Sequence, residues 1–199
     1  MKRNPKKDLR VLKTKQSIKE AFIDLVELKG FNKVSVTNIV QSAQINRNTF
    51  YLHYDNKEDL VKQLIIEASS KMNEALGTFV FLSSYSFDEI QEIQIRWGVR
   101  NLLMFIKPEI EFYRIILLDD SLRGYINELF DMIKNHLSDL LHVKNPRSNL
   151  IFEYTYNGML GLIQQWIIYS PTTEAETAKI LAKLAYTNLQ QFKEINLNH

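Results

Sequence analysis

Five closely spaced polar side chains have the chemistry needed to contact DNA: Arg47, Asn48, Thr49, Tyr51 and His53. Arginine pairs with guanine edges, asparagine with adenine edges, and threonine offers a hydroxyl and a methyl group to bases. Tyrosine and histidine can donate to phosphate oxygens, which position a protein without reading sequence. These residue types predict a DNA-reading segment if one short helix displays them together.

The flanking pattern predicts the helices that would position this segment. Apolar residues recur at helical spacing over residues 14–29, with Gly30 as a stop, and again over residues 36–43. Good N-cap residues precede the second, third and fourth predicted helices: Ser35, Asn46 and Asn56. Two short helices after a longer one indicate a helix-turn-helix. A helical protein-interaction module would give the same pattern, so spacing alone leaves both open.

Charge is distributed unevenly along the chain. Residues 1–62 hold 13 Lys and Arg against 7 Asp and Glu, a net charge of +6, whereas residues 63–199 hold 12 against 16, a net of −4. A basic end joined to a mildly acidic body indicates that one end meets a polyanion. A solvated basic tail is the alternative.

Composition favours an all-α protein and excludes several classes of site. The chain has 6 Gly, 4 Pro and no Cys among 199 residues, few turn formers for a sheet protein and no thiol for a disulfide or zinc site. No signal peptide or bilayer-spanning run is present, so we expect a cytoplasmic protein with no membrane partner. The four histidines show no metal-ligand spacing, and there is no phosphate-binding loop. We therefore predict no catalytic residues, no metal, no cofactor and no enzyme activity.

The stretch from Gly30 to Leu60 resembles the N-terminal domain of the TetR family of bacterial regulators. The resemblance is carried above all by Thr49-Phe50-Tyr51, by His53-Tyr54 and by Lys57 through Leu60, and it covers about residues 13–66. The end of the motif is also similar, more weakly, to regulators of dihydroxyacetone kinase operons, a branch that includes activators and partner-dependent members.

The resemblance implies a DNA-binding domain over residues 1–66 that contacts double-stranded DNA. It places Arg47, Asn48 and Thr49 at the major groove and five further residues at the phosphate backbone: Ser35, Thr37, Tyr51, His53 and Lys57. Gln44 departs from the family, which usually has Gly in this turn. If the position needs a positive φ, Gln costs about 1 kcal/mol relative to Gly.

Residues 67–199 are predicted to form an effector-sensing and dimerisation domain, which gives about nine helices in all. The expected helices span residues 87–106, 109–118, 121–141, 150–169 and 173–195, with a loop at 142–148. Thr173, with Glu176 three residues later, supplies a capping box for the last helix.

The last two helices are the predicted homodimer contact. Gly158 and Gly161 interrupt an otherwise bulky apolar helix, which indicates close approach of another backbone. The last helix carries a stripe with small residues interleaved: Ala178, Leu181, Ala182, Ala185, Leu189 and Phe192. A four-helix bundle between two chains is what the family resemblance implies, and packing within one chain is the alternative.

A pocket for a small-molecule effector is expected among the central helices. Its candidate lining is aromatic: Trp97, Phe112, Tyr113, Tyr154 and Trp166. Aromatic residues at this spacing are also typical of a plain core. The leading hypothesis is a ligand-responsive regulator, with a repressor favoured, that binds a palindromic operator as a dimer. Two alternatives stay open: a partner-dependent activator, and a helical adaptor that does not bind DNA.

Overall fold

The computed structural model describes residues 5–82, 92–140 and 146–197. The helices are α1 (Pro5–Lys29), α2 (Val36–Ser42), α3 (Arg47–Tyr51), α4 (Lys57–Leu82), α5 (Glu92–Ile106), α6 (Ile110–Leu118), α7 (Arg123–Leu140), α8 (Pro146–Tyr169) and α9 (Glu174–Leu197). Short 3₁₀ turns lie at Phe31–Lys33, Lys107–Glu109 and Asp120–Leu122. The described ranges contain no strand, which confirms the all-α prediction. None of their helices combines the length and apolar character needed to cross a bilayer.

The chain divides into two compact units. The first comprises residues 1–66 together with residues 115–126, and the second comprises residues 67–114 and 127–199. The predicted boundary after residue 66 coincides with the end of the first stretch, but the prediction had placed residues 115–126 in the second domain. The first unit therefore includes the end of α6 and the start of α7.

Two helices begin earlier than the periodicity predicted, and both begin at a proline. α1 starts at Pro5 rather than near residue 14, and α8 starts at Pro146, inside the predicted loop. Proline suits the first position of a helix because that position has no intrahelical partner for an N–H group. Residues 87–91 of the predicted fifth helix, and residues 142–145 of the predicted loop, lie outside the described residues.

The predicted N-caps are confirmed. In each case a side-chain oxygen accepts from a backbone N–H three residues later: Ser35 Oγ from Asn38 (3.2 Å), Asn46 Oδ1 from Thr49 (2.7 Å), Asn56 Oδ1 from Asp59 (2.8 Å) and Thr173 Oγ1 from Glu176 (3.3 Å). These bonds satisfy N–H groups that have no intrahelical acceptor. They fix where α2, α3, α4 and α9 begin.

The core of the first unit holds α3 in place. Phe22, Ile39, Phe50 and Leu60, from four different helices, have no exposed surface. A helix of five residues is not stable alone, because nucleation costs more than so few hydrogen bonds return. Burial of Phe50 therefore stabilises α3 and turns the opposite side of this helix toward solvent.

In the second unit, α9 packs against α5 and α8. The small-residue stripe of α9 lies at this contact, since Ala178, Leu181, Ala182 and Ala185 are at most 3% exposed. The prediction that these four residues meet a second chain is therefore wrong. An apolar stripe predicts burial but does not identify the partner. Leu189 and Phe192 of the same predicted stripe have side chains outside the described set.

Candidate DNA-binding surface

The turn between α2 and α3 has a left-handed residue at Gln44, with φ of 53°. The Gln44 N–H donates to Gln41 O (3.2 Å) and the Ile45 N–H donates to Val40 O (3.0 Å). These two bonds are those of a Schellman motif, which usually has Gly at the left-handed position. The positive φ considered in the sequence analysis is present, so the Gln side chain costs about 1 kcal/mol here. The motif fixes the direction in which α3 leaves α2.

Arg47 and Asn48 are exposed at the start of α3. Thr49 is half-buried, and both its N–H and its hydroxyl donate to Asn46 Oδ1 (2.7 and 2.9 Å). The Thr49 hydroxyl proton therefore serves the helix cap. Among the three residues predicted at the major groove, Arg47 and Asn48 are the more available to base edges.

Arg47 lies beside Tyr51 on the exposed side of α3. Its Nε and Nη2 atoms are both 3.4 Å from Tyr51 Oη, and the guanidinium is 5.8 Å from the ring centroid. Hydrogen bonds of this length are weak. Because Tyr51 is 45% exposed, both side chains can exchange these contacts for DNA at low cost.

His53 lies next to the α3–α4 junction. Burial, with a smaller contribution from the nearby Lys15 ammonium, lowers the pKa of His53 below its usual value. This shift favours the neutral imidazole in the free protein, which has one N–H donor for a phosphate. Its backbone carbonyl accepts from Gln63 Nε2 of α4 (3.2 Å), which ties the end of the recognition segment to α4.

Lys57, at the first position of α4, points toward the turn after α1. Its Nζ donates to Phe31 O and to Val34 O (2.9 Å each) and lies 4.3 Å from the centroid of the Phe31 ring. The side chain is 17% exposed. Two of its three ammonium donors are therefore used within the chain, and the Glu58 carboxylate lies 4.0 Å from the same Nζ. The third donor is the one that could reach a phosphate. Sequence reasoning missed the contact with the turn because the resemblance indicated only the phosphate.

Ser35 and Thr37 are exposed at the start of α2. The Ser35 hydroxyl accepts from the Asn38 N–H (3.2 Å) and donates to Asn38 Oδ1 (2.9 Å). Lys29 Nζ of α1 donates to the same Oδ1 (2.7 Å). Ser35 is therefore committed to the cap, and Thr37 is the more available hydroxyl for a phosphate on this helix.

The aromatic candidates for the effector pocket do not share one environment. Phe112, Tyr113 and Trp166 are buried, whereas Trp97 and Tyr154 are 45% and 69% exposed. Burial, followed by the nearby carboxylates of Glu109 and Glu67, raises the pKa of Tyr113. Trp166 Nε1 donates to Thr172 O (3.0 Å) and so closes the turn between α8 and α9. The structure thus places three of the five in the core and two on the surface of the second unit.

Comparisons with known proteins agree with this geometry. The model of bacterial regulatory proteins of the tetR family matches residues 18–64, and a model of a transcriptional regulator C-terminal region matches residues 94–187. The chain belongs to the TetR family. The two matches fall on either side of the boundary after residue 66.

Among relatives of this TetR-family chain, the dhaKLM operon transcriptional activator DhaS of Lactococcus lactis is 40% identical over 48 residues, 24% of this chain and 26% of that protein. The HTH-type transcriptional regulator YxbF of Bacillus subtilis is 29% identical over 86 residues, 43% of this chain and 23% of that protein. The matched stretches therefore span about a quarter of each relative. A solved structure assigned to the TetR family, from Syntrophomonas wolfei, shares the fold with a TM-score of 0.69 at 15% identity, covering 88% of this chain and 94% of that one.

These relatives are named as transcriptional regulators, in agreement with the prediction that this TetR-family chain is not an enzyme. Within the described ranges, no group of three or more His, Asp or Glu side chains is arranged to hold a metal ion.

Proposed function

We propose that this protein is a ligand-responsive transcriptional repressor that binds a palindromic operator as a homodimer. The observation that supports DNA binding in this proposal is the exposure of Arg47 and Asn48 on a capped helix whose other side is anchored by Phe50. Such a helix can enter the major groove without rearrangement. Tyr51, with its ring beside Arg47, is proposed to contact the backbone, together with Thr37, His53 and Lys57, whereas the Ser35 hydroxyl proton is used in the α2 cap.

Charge also supports DNA binding by the first unit. Residues 1–62 carry the net charge of +6, and α1 carries Arg10 and Lys13 as exposed side chains. Basic residues release counterions from DNA, so the affinity of this unit for DNA should fall steeply with salt.

An exposed apolar face on α8 and α9 supports dimerisation. Its members are at least 41% exposed: Leu150, Tyr154, Leu162, Tyr169, Ile180 and Leu184. On α8 these residues follow one helical stripe that also contains Gly158 and Gly161. A Cβ atom built at either glycine meets no other atom within 4 Å, so packing within the chain does not require glycine there. Close approach of a second chain would explain both glycines, and a two-fold dimer would read two half-sites.

Buried polar atoms in the second unit support a bound effector. Asn73 Oδ1, His136 Nε2 and Thr155 Oγ1, on α4, α7 and α8, have no hydrogen-bond partner among the described residues. Each such atom costs about 1–3 kcal/mol, which polar groups of a ligand could offset. We propose that a small cytoplasmic molecule with hydrogen-bonding groups binds this unit and favours an arrangement that releases DNA. Phe112, Tyr113 and Trp166 remain the apolar candidates for its site.

The test is fluorescence anisotropy of the protein on its own upstream DNA and on scrambled DNA, across a salt series. Tighter binding to the upstream DNA, with a steep salt dependence, is the expected result. Weak binding that does not discriminate the two DNAs would overturn the proposal and favour a helical adaptor.

A partner-dependent activator is the second candidate. The observation in its favour is the relative from Lactococcus lactis, which is named as an activator and shares 40% identity over 48 residues. Selective DNA binding with increased transcription from the neighbouring promoter, only in the presence of a second protein, would establish this alternative.

A further inference from the structure

The turn after α1 is held by two side chains that are distant in sequence. The Phe31 N–H donates to Asp119 Oδ2 (2.7 Å), and the Phe31 carbonyl accepts from Lys57 Nζ (2.9 Å). Phe31 itself is 6% exposed and its ring packs edge-on against Phe22, with centroids 6.2 Å apart. The Phe31 carbonyl also accepts from the Val34 N–H within the turn (3.1 Å), so it is the Phe31 N–H that depends on a residue distant in sequence.

Asp119 is fixed in place by its own surroundings. Its Oδ1 accepts from the Ser121 N–H (2.9 Å), and the Ser121 hydroxyl accepts from Asn32 Nδ2 (2.8 Å). Gly30, with φ of 78° and ψ of 151°, adopts a conformation that is essentially restricted to glycine, and it turns the Phe31 N–H out of α1. Two bonds thus join residues 31–32 to residues 119–121.

The turn leads directly into the recognition segment. Val34 is followed by the Ser35 cap of α2, and the Schellman motif at Gln44 fixes α3 to α2. A shift of the turn would therefore move both short helices.

The segment that carries Asp119 is continuous at both ends with the second unit. The preceding part of α6 is anchored there, because Phe112 is 1% exposed and Arg114 Nε donates to Ile167 O of α8 (3.2 Å).

We propose that Asp119 is a positioning residue for DNA binding: its bond to the Phe31 N–H holds α2 and α3 in the arrangement that binds the operator. This inference rests on the proposed function. The Asp119 carboxylate touches no DNA and acts through the turn.

The test compares Asp119→Ala, Asp119→Asn and Asp120→Ala in the full chain, with unfolding by urea and anisotropy on upstream and scrambled DNA. Asp119→Ala removes the acceptor and should weaken binding to upstream DNA about tenfold, or about 1.4 kcal/mol, with little change on scrambled DNA. Asp119→Asn keeps an acceptor oxygen and should restore binding to within about threefold of wild type. Asp120 is 86% exposed and pairs with Arg123, so Asp120→Ala removes the same charge without touching the turn and should bind as wild type.

If Asp119 had a purely structural role, Asp119→Ala would be less stable than wild type but would bind upstream DNA with unchanged affinity once folded. This result would overturn the inference and leave the proposed function standing. Equal weakening on both DNAs would overturn it as well, since positioning acts on the fit to specific bases. A wild-type chain that does not discriminate the two DNAs would instead overturn the proposed function, and the role of Asp119 with it.

Discussion

Replacing Lys57 by Met should lower the free energy of unfolding of the first unit by about 2–4 kcal/mol. The methionine keeps most of the apolar stem that covers the Phe31 ring but leaves Phe31 O and Val34 O without their ammonium donor. A hydrogen bond to a charged group contributes roughly 1.5–3 kcal/mol. The side chain is 17% exposed, so solvent lowers the contribution of each bond. The summed contribution of the two bonds at 2.9 Å then falls in this range.

Urea unfolding followed by circular dichroism measures this loss, and Lys62→Met is the matched control. Lys62 lies on the same helix and is exposed, so its replacement should change stability by less than about 0.5 kcal/mol. If the third donor of Lys57 binds a phosphate, Lys57→Met should also lower the salt dependence of DNA binding by about one ion. Equal stabilities for the two variants would refute the role of Lys57 in holding the turn.

Three further substitutions test other parts of the structure. Gln44→Gly should raise the free energy of unfolding by roughly 0.5–1 kcal/mol, because glycine adopts a positive φ without strain. A lower free energy of unfolding in urea would contradict the strain at Gln44. Arg47→Ala should reduce discrimination between bases by roughly 1–3 kcal/mol in anisotropy on operator variants, and an unchanged preference would count against α3 as the reading helix. Gly161→Leu should dissociate the dimer in analytical ultracentrifugation, whereas Gly124→Leu, at another position where a Cβ atom meets open space, should not. A dimer that survives Gly161→Leu would exclude this face of α8.

The helix-turn-helix was predictable from sequence because its decisive contacts are local. The caps at Ser35, Asn46 and Asn56 each bond to a residue three positions later, so the residue types alone indicate them. The positive φ at Gln44 was raised only by the family resemblance, because the family usually has Gly in this turn and a glutamine gives no local signal of a left-handed residue.

Contacts between distant residues were not predictable. The bond between Phe31 and Asp119 joins residues 88 positions apart, and nothing in the pattern around Asp119 indicates an acceptor for a turn in another part of the chain. The stripe of α9 shows the same limit. Its small residues indicated close packing, but helix periodicity gives no information on whether α5 or a second chain supplies the opposite surface.

The separation of exposed and buried residues on α3 bears on how this chain can acquire new targets. Arg47 and Asn48 are exposed and take no part in the caps, whereas Phe50 and the Asn46–Thr49 cap hold the helix in place. Exposed positions of this kind usually tolerate replacement within about 0.5 kcal/mol. A combinatorial library at residues 47 and 48 should therefore change operator preference with little penalty in folding. The scaffold can diverge in specificity one residue at a time, because most intermediates along such a path would still fold.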